Sequence, residues 1–459
     1  MFKSILKYLP SVIIPTIFTI INTFIYGNYM EVEEYGQFNL LIITISLVYT
    51  IIFSFQNFSI LRLFNSFKLK EQNRLLLSSS VNLSILGGLT LYFLILPFKS
   101  LENKEVIILS IVSLSLFNIY LNYFRAGEKI KFYNFLSISF PVGTCFLLIL
   151  FHKYFILNSS TALLAMYIPL MCMSLGLTLL LYYKKILSAK IDKTIITTTF
   201  KYGFPLAMSG ILFLIMSSSD RYIIKIFMTN KEVGLYSFSY KISELSLTNV
   251  TMAIMLALYP FLIKIYDSSD IKIVEQTMSK YLSFHIIVML PLVTIIFIYT
   301  QDLLYYIFPS YYEGANLVKL VTLGTLIFTF SAYTDKAFQL SQRTTILFRI
   351  LLVSAVSNLL FNFLLIPFFD LTGAVIATIL AYLIYIIMSL KYSKSIFKFS
   401  INLMLLWPIF LTNFLIIIFM KFLYRTIHSS SIVYIIIQIT IYILLYSSSL
   451  LIIKYFRKE

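Results

Sequence analysis

The stretch Phe200–Phe238, FKYGFPLAMSGILFLIMSSSDRYIIKIFMTNKEVGLYSF, decides how the rest of the chain is read. It opens after a basic loop as a long apolar helix with Pro205 in its first turn, and it carries Asp220, Arg221 and Lys225 near its far end. A short polar turn, Thr229 to Glu232, hands over to Gly234 and a second apolar helix. Placing a charged side chain inside a membrane span costs roughly 2.5–3.5 kcal/mol, so such residues face a polar space and mark a pathway.

Composition agrees with a membrane setting. The 459 residues are 59% hydrophobic and 12% charged, with a mean hydropathy of +0.91. A soluble chain carries roughly twice that share of charge. Cys145 and Cys172 both lie in apolar runs, and His152, His285 and His428 are scattered, so neither a disulfide framework nor a metal site is expected. Met1 to Lys7 leads straight into an apolar run without a small-residue cleavage motif, which reads as a first span.

A span needs about 20 apolar residues. Fourteen such runs fall near 8–27, 36–61, 75–98, 106–124, 132–151, 161–183, 201–228, 235–263, 281–300, 314–334, 345–368, 372–390, 401–423 and 432–453. The loops between them are too short for a soluble domain. With the N-terminus and every second loop inside, the inner side takes 26 of the 36 basic residues, from Lys3, Lys7 and Lys68 to Arg457 and Lys458. That asymmetry predicts both termini in the cytoplasm. The net charge of +17 is then mostly topology and lipid contact rather than nucleic-acid binding.

The chain also repeats itself. Lys7-Tyr8-Leu9-Pro10 and Glu34-Tyr35-Gly36 open the first two spans, while Lys201-Tyr202-Gly203-Phe204-Pro205 and Glu232-Val233-Gly234 open the seventh and eighth. A weaker echo pairs Phe124-Arg125-Ala126-Gly127-Glu128-Lys129 with Phe338-Gln339-Leu340-Ser341-Gln342-Arg343. Six spans per copy is an even number, so the copies cross in the same sense, with a substrate site expected between them. The expected division is 1–193 for spans 1–6, 194–400 for spans 7–12, and 401–459 for spans 13 and 14.

No GxxxxGK[ST] loop, serine elbow or HExxH pair is present, which argues against an ATP-driven pump or a hydrolase and leaves transport. No catalytic residue, cofactor or metal is assigned. Arg62 and Arg125, at the inner ends of spans 2 and 4, either snorkel to the interface or line an inward-open cleft whose forked donors suit a pyrophosphate. Asp220 lies roughly 30 Å into span 7, near the outer face, where adjacent residues point apart and it needs a partner elsewhere. Arg221 and Lys225 share a face there, and the group reads as a gate or a substrate contact. Lys241 and Glu244 are i, i+3 in span 8 at mid-depth, either a self-satisfied pair or a carboxylate whose protonation is linked to transport. Pro260 and Pro291 are expected to kink spans 8 and 9.

The order and spacing of several elements resemble a known family. They are Glu33-Glu34-Tyr35-Gly36 with Phe38, Phe124-Arg125-Ala126, Gly203-Phe204-Pro205, Asp220-Arg221 and Val233-Gly234-Leu235-Tyr236. Leu258-Tyr259-Pro260, Asn358 to Asn362 leading to Ile366-Pro367, and Gly373 to Thr378 complete the series. The chain is similar to the polysaccharide-transporter branch of the MOP superfamily, particularly Wzx-type O-antigen flippases. The resemblance implies an all-α membrane protein of 14 helices, two six-helix lobes forming a V around a cationic cavity, with two further helices. It implies transfer of an undecaprenyl-pyrophosphate-linked oligosaccharide from the cytoplasmic to the periplasmic leaflet of a bacterial inner membrane. A polysaccharide polymerase and a chain-length regulator would be partners. Arg62, Arg125, Arg221, Lys225 and Lys241 are the expected cavity cations, with Asp220 and Glu244 as gating or coupling residues. Gln339 stands against Arg125 in the second copy, which argues against a symmetric anion clamp. A cation-coupled MATE antiporter would want acidic cavity residues instead. A polysaccharide polymerase or ligase would want a long external loop.

Overall fold

A computed structural model of the protein describes residues 10–66, 70–97, 104–267, 270–398, 400, 403–426 and 431–456. Lys3, the Lys7-Tyr8-Leu9 opening, Lys68, His428, Arg457 and Lys458 lie outside them. All the regular structure in the described residues is helical. The chain divides into two compact units, Met1–Gly234 and Leu235–Glu459.

Unit 1 contains α1 (Pro10–Tyr29), α2 (Val32–Ile52), α3 (Ser54–Ser66), α4 (Lys70–Ile95), α5 (Lys104–Ala126), α6 (Ile130–Tyr154), α7 (Ser159–Tyr183) and α8 (Lys193–Phe227). It also holds the first turn of α9 (Asn230–Ser243). The expected second span is α2 and α3 together, broken where the buried Phe53 leaves helical geometry at φ −120°. Within the bilayer such breaks need side chains to satisfy the loosened backbone, and Ser54 Oγ donates to the Thr50 carbonyl at 2.6 Å. α1 packs on α6, where Asn22 Nδ2 donates to the Pro141 carbonyl at 3.2 Å.

The helix carrying the decisive stretch starts earlier than its hydropathy suggests. α8 begins at Lys193, so Pro205 lies well inside it rather than in its first turn. The start is set by Asp192, whose carboxylate accepts the amides of Thr194 and Ile195 at 2.8 and 3.0 Å, the geometry of an aspartate N-cap. A polar, threonine-rich turn therefore extends the helix beyond its apolar part. α8 packs along α3 in unit 1 although it opens the second copy of the repeat. A Cβ at Gly203 would overlap the Phe55 carbonyl, and Ser59 Oγ donates to the Thr199 carbonyl at 2.7 Å.

The two repeat openings meet each other. A Cβ at Gly36 would overlap the Asn230 carbonyl, and a Cβ at Gly234 would overlap the Val32 carbonyl. Each glycine thus touches the residue four places before its counterpart. Only glycine allows two helix backbones this close.

Unit 2 continues from α9 through a π-helical turn, Glu244–Thr248, into α10 (Asn249–Asp267). α11 (Ile271–Ile307), α12 (Ala315–Thr329), α13 (Ser331–Leu340), α14 (Thr344–Ser393), α15 (Leu403–Thr426) and α16 (Ile432–Phe456) follow. α14 is 50 residues long but reverses at Asp370, where φ is 50° and ψ −138°. It therefore supplies the expected spans 345–368 and 372–390, and the described residues hold fourteen apolar helical segments in the order read from hydropathy. The departure from α geometry in span 8 lies at the π-helical turn, upstream of Pro260. α15 and α16, outside the repeat, dock on α11. Asn413 Nδ2 reaches Thr294 Oγ1 at 3.2 Å, Tyr442 Oη donates to Asn413 Oδ1 at 2.5 Å, and Tyr446 Oη donates to the Ile287 carbonyl at 2.8 Å.

Candidate functional site

Charged side chains are scarce in the spans, so their partners define what each can do. Phe64 and Tyr123 meet edge to face at 5.2 Å between ring centres and lock the ends of α3 and α5 together. This brings Arg62 and Arg125 to one end of unit 1. Both side chains are exposed, and neither has a hydrogen-bond or carboxylate partner among the described residues.

α5 ends in a left-handed turn at Glu128, with φ 53°. The Lys129 amide donates to the Phe124 carbonyl at 2.9 Å and the Glu128 amide to the Arg125 carbonyl at 3.2 Å, the pairing of a Schellman cap. α13 ends identically. Gln342 has φ 57°, the Arg343 amide donates to the Phe338 carbonyl at 2.9 Å, and the Gln342 amide donates to the Gln339 carbonyl at 3.4 Å. The faint sequence echo is thus a shared backbone register, with Arg125 matched to Gln339.

On α8, Asp220 is fully buried and its Oδ1 lies 2.9 Å from Arg221 Nη1. Nη1 also donates to the Ser217 carbonyl at 2.8 Å. The expectation that Asp220 must look elsewhere for its countercharge is corrected here. Helix geometry separates neighbouring Cβ directions, but the arginine stem is long enough to curl back. Arg221 is 11% exposed and its charge is compensated. Lys225, one turn on, is exposed and without a partner among the described residues. Two residues past Asp220, Tyr222 Oη shares a 2.5 Å hydrogen bond with Thr44 Oγ1 and ties this part of α8 to α2.

Lys241 Nζ and Glu244 Oε2 are 3.3 Å apart, with side chains 30% and 54% exposed. Lys241 lies roughly 16 Å along the helix from Asn230, near mid-depth for a span. Glu244 begins the π-helical turn, a feature that recurs at functional sites. Ser243 Oγ and Thr322 Oγ1, 2.9 Å apart, fasten the turn to α12. Charge spacing found this pair in the sequence. The π-turn left no sequence signal, since its residues are ordinary helix formers.

Two polar groups escaped the sequence reading. Asp335 Oδ1 accepts from Tyr385 Oη at 2.9 Å, beside a 2.6 Å contact between Ser389 and Thr334. The apolar run ends at 334, so Asp335 reads as the start of a loop, whereas α13 continues to Leu340. The second group is fully buried. Asn358 Nδ2 approaches Thr378 Oγ1 at 3.3 Å, and Asn362 Nδ2 donates to Asn358 Oδ1 at 3.0 Å. Tyr236 Oη lies 3.5 Å from Thr378 Oγ1, while Asn362 Oδ1 has no partner among the described residues. The motif 358–362 marked this place without revealing its chemistry. Among the described residues no three His, Cys, Asp or Glu side chains converge as a metal site would require. A 370 Å³ cavity in unit 1, between Phe53, Leu83 and Phe200, is apolar and offers no charge to an anion.

Residues 101–317 match the family of polysaccharide biosynthesis proteins. A probable low-salt glycan biosynthesis flippase of Haloferax volcanii, Agl15, is 21% identical over 196 residues, 42% of this chain and 41% of Agl15. The uncharacterized membrane protein MJ1068 of Methanocaldococcus jannaschii is 27% identical over 128 residues, 28% of this chain and 25% of that protein. These matches span less than half the length of either relative. Among solved structures, the lipid II flippase MurJ in its inward closed conformation superposes with a TM-score of 0.77, covering 99% of both chains at 18% identity. An inward-facing MATE transporter of the MOP superfamily gives 0.67 over 84% of this chain and 98% of that one, at 14% identity. Identities this low establish the fold alone. Taken together, the comparisons relate residues 101–317 of this multi-pass membrane protein to the polysaccharide biosynthesis family and give the chain the fold shared by the MurJ and MATE structures.

Proposed function

We propose that the protein flips a lipid-linked oligosaccharide carried on a polyprenyl diphosphate, undecaprenyl in a bacterial inner membrane, from the cytoplasmic to the outer leaflet by alternating access. The observation that carries this reading is the pair of uncompensated guanidinium groups, Arg62 and Arg125, on helix ends locked together by Phe64 and Tyr123. A diphosphate leaving the headgroup region meets a desolvation penalty of several kcal/mol unless fixed cations offset it. Arginine offers such an anion a forked pair of donors, which a snorkelling anchor would not need. In this reading Arg62 and Arg125 capture the headgroup, Lys241 receives it deeper, and Glu244 modulates that charge. Lys225 remains available as a cation, whereas Arg221 is engaged by Asp220 and acts with it as a latch. The family resemblance supplies the polymerase and chain-length regulator as partners, acting on the glycan once it is outside.

Replacing both Arg62 and Arg125 with alanine is expected to reduce surface glycan and accumulate lipid-linked precursor inside, with unchanged protein in the membrane. Lysine at both positions should rescue only partly, because it supplies charge without the fork. Normal surface glycan in the alanine double variant would reduce both arginines to topology anchors.

A further inference from the structure

Unit 2 has its own cation beside the position where the repeat replaces an arginine with a glutamine. Lys336 lies on α13, one turn before Gln339, the residue that the shared Schellman register matches to Arg125. Its Nζ donates to Gln339 Oε1 at 2.7 Å and stands 4.1 Å from the centre of the Tyr259 ring on α10. The ammonium is therefore held beside the side chain that stands at the register position of Arg125 in the second copy. No carboxylate lies within ion-pair distance of it among the described residues; the neighbouring Asp335, whose field it still feels, accepts from Tyr385 Oη on α14. An ammonium has three donors, and the amide oxygen uses one. The aromatic face holds the cation without neutralising it. A half-buried lysine with donors to spare and no carboxylate within ion-pair distance is arranged to receive an anion.

We infer that Lys336, positioned by Gln339 and Tyr259, is a binding point in unit 2 for the diphosphate of a lipid-linked substrate. The asymmetry of arginine against glutamine is then one of residue identity rather than of charge. This rests on the flippase reading above and adds to it a cation that neither the sequence motifs nor the repeat assigned. The first copy presents a fork, suited to two phosphate oxygens at once, and the second a point charge that tolerates a moving headgroup.

The test uses purified full-length protein in detergent, with farnesyl diphosphate and sodium pyrophosphate as separate probes and calorimetry as the readout. Lys336→Ala is expected to weaken farnesyl diphosphate binding about tenfold, and Lys336→Arg to stay within about threefold of the native protein. Lys336→Gln, which keeps a polar chain beside Gln339, serves should the alanine variant fail to fold. Lys336→Ala combined with Gln339→Arg should recover binding to within about threefold, because it restores the cation at the register of Arg125. Parallel loss for both probes would show that the site reads a diphosphate from either source. Loss for farnesyl diphosphate alone would tie it to the lipid-linked form. Unchanged binding in Lys336→Ala and Lys336→Gln, with weakening in Arg62→Ala/Arg125→Ala, would overturn this inference and leave the flippase reading standing. A native protein that binds neither probe would overturn the diphosphate reading itself.

Discussion

Asp220 and Arg221 are chain neighbours, and their pairing has an energetic consequence. Asp220 is fully buried and Arg221 nearly so, which makes the pair expensive to break from one side. Losing one partner of a buried pair typically destabilises by about 3–5 kcal/mol, because the other charge is left without compensation. Asp220→Ala should therefore lower thermal stability by that order, measured on purified protein in detergent. Asp220→Ala/Arg221→Met should recover much of the loss, since no charge is then stranded. Equal melting of the single and double variants would show that Asp220 acts through other partners. The two residues were legible in the sequence as an intramembrane charge pair, but their mutual contact was not. Spacing rules describe where Cβ atoms point, and a guanidinium several bonds further out escapes them. Asp335 escaped for a different reason: two adjacent charges look like the end of a span, and one further helical turn keeps them inside it.

Among elements, the crossing of α2 and α9 is the most constrained. Cβ atoms at Gly36 and Gly234 would each strike a backbone carbonyl, which cannot rotate aside as a side chain can. Overpacking of this kind costs about 1–3 kcal/mol. Gly36→Ala and Gly234→Ala are each expected to reduce stability within that range, read from thermal unfolding. The double variant should fall short of the sum, because both substitutions part the same two helices. Full additivity would mean that the helices do not meet there. Hydropathy made all fourteen apolar segments legible, including the two that α14 supplies on either side of Asp370. It gave no sign of the break at Phe53, the π-turn at Glu244 or the extra turns at the start of α8. Those features depend on single hydrogen bonds and caps, which an average over some twenty residues erases.

For the whole molecule, the basic residues predict which side each loop faces. In a background lacking Cys145 and Cys172, single cysteines at Glu33 and Glu313 should react with an impermeant reagent from outside. Cysteines at Lys70, Lys190 and Lys394 should react only after permeabilisation. Two adjacent sites with reversed reactivity would sink the topology. The repeat was legible from a few short motifs, and the matching caps at Glu128 and Gln342 keep the register that those motifs gave, with Arg125 against Gln339. The contact at Gly36 and Gly234 is the other place where that register is exposed. Gly36 meets Asn230, and Gly234 meets Val32, so the relation is its own mirror under exchange of the two copies. Such reciprocity is the mark of a two-fold homodimer, in which one gene dictates both sides of an interface. Here it is written within a single polypeptide. The two halves can diverge freely at most positions, but at this one a change in either half must still be accepted by its twin.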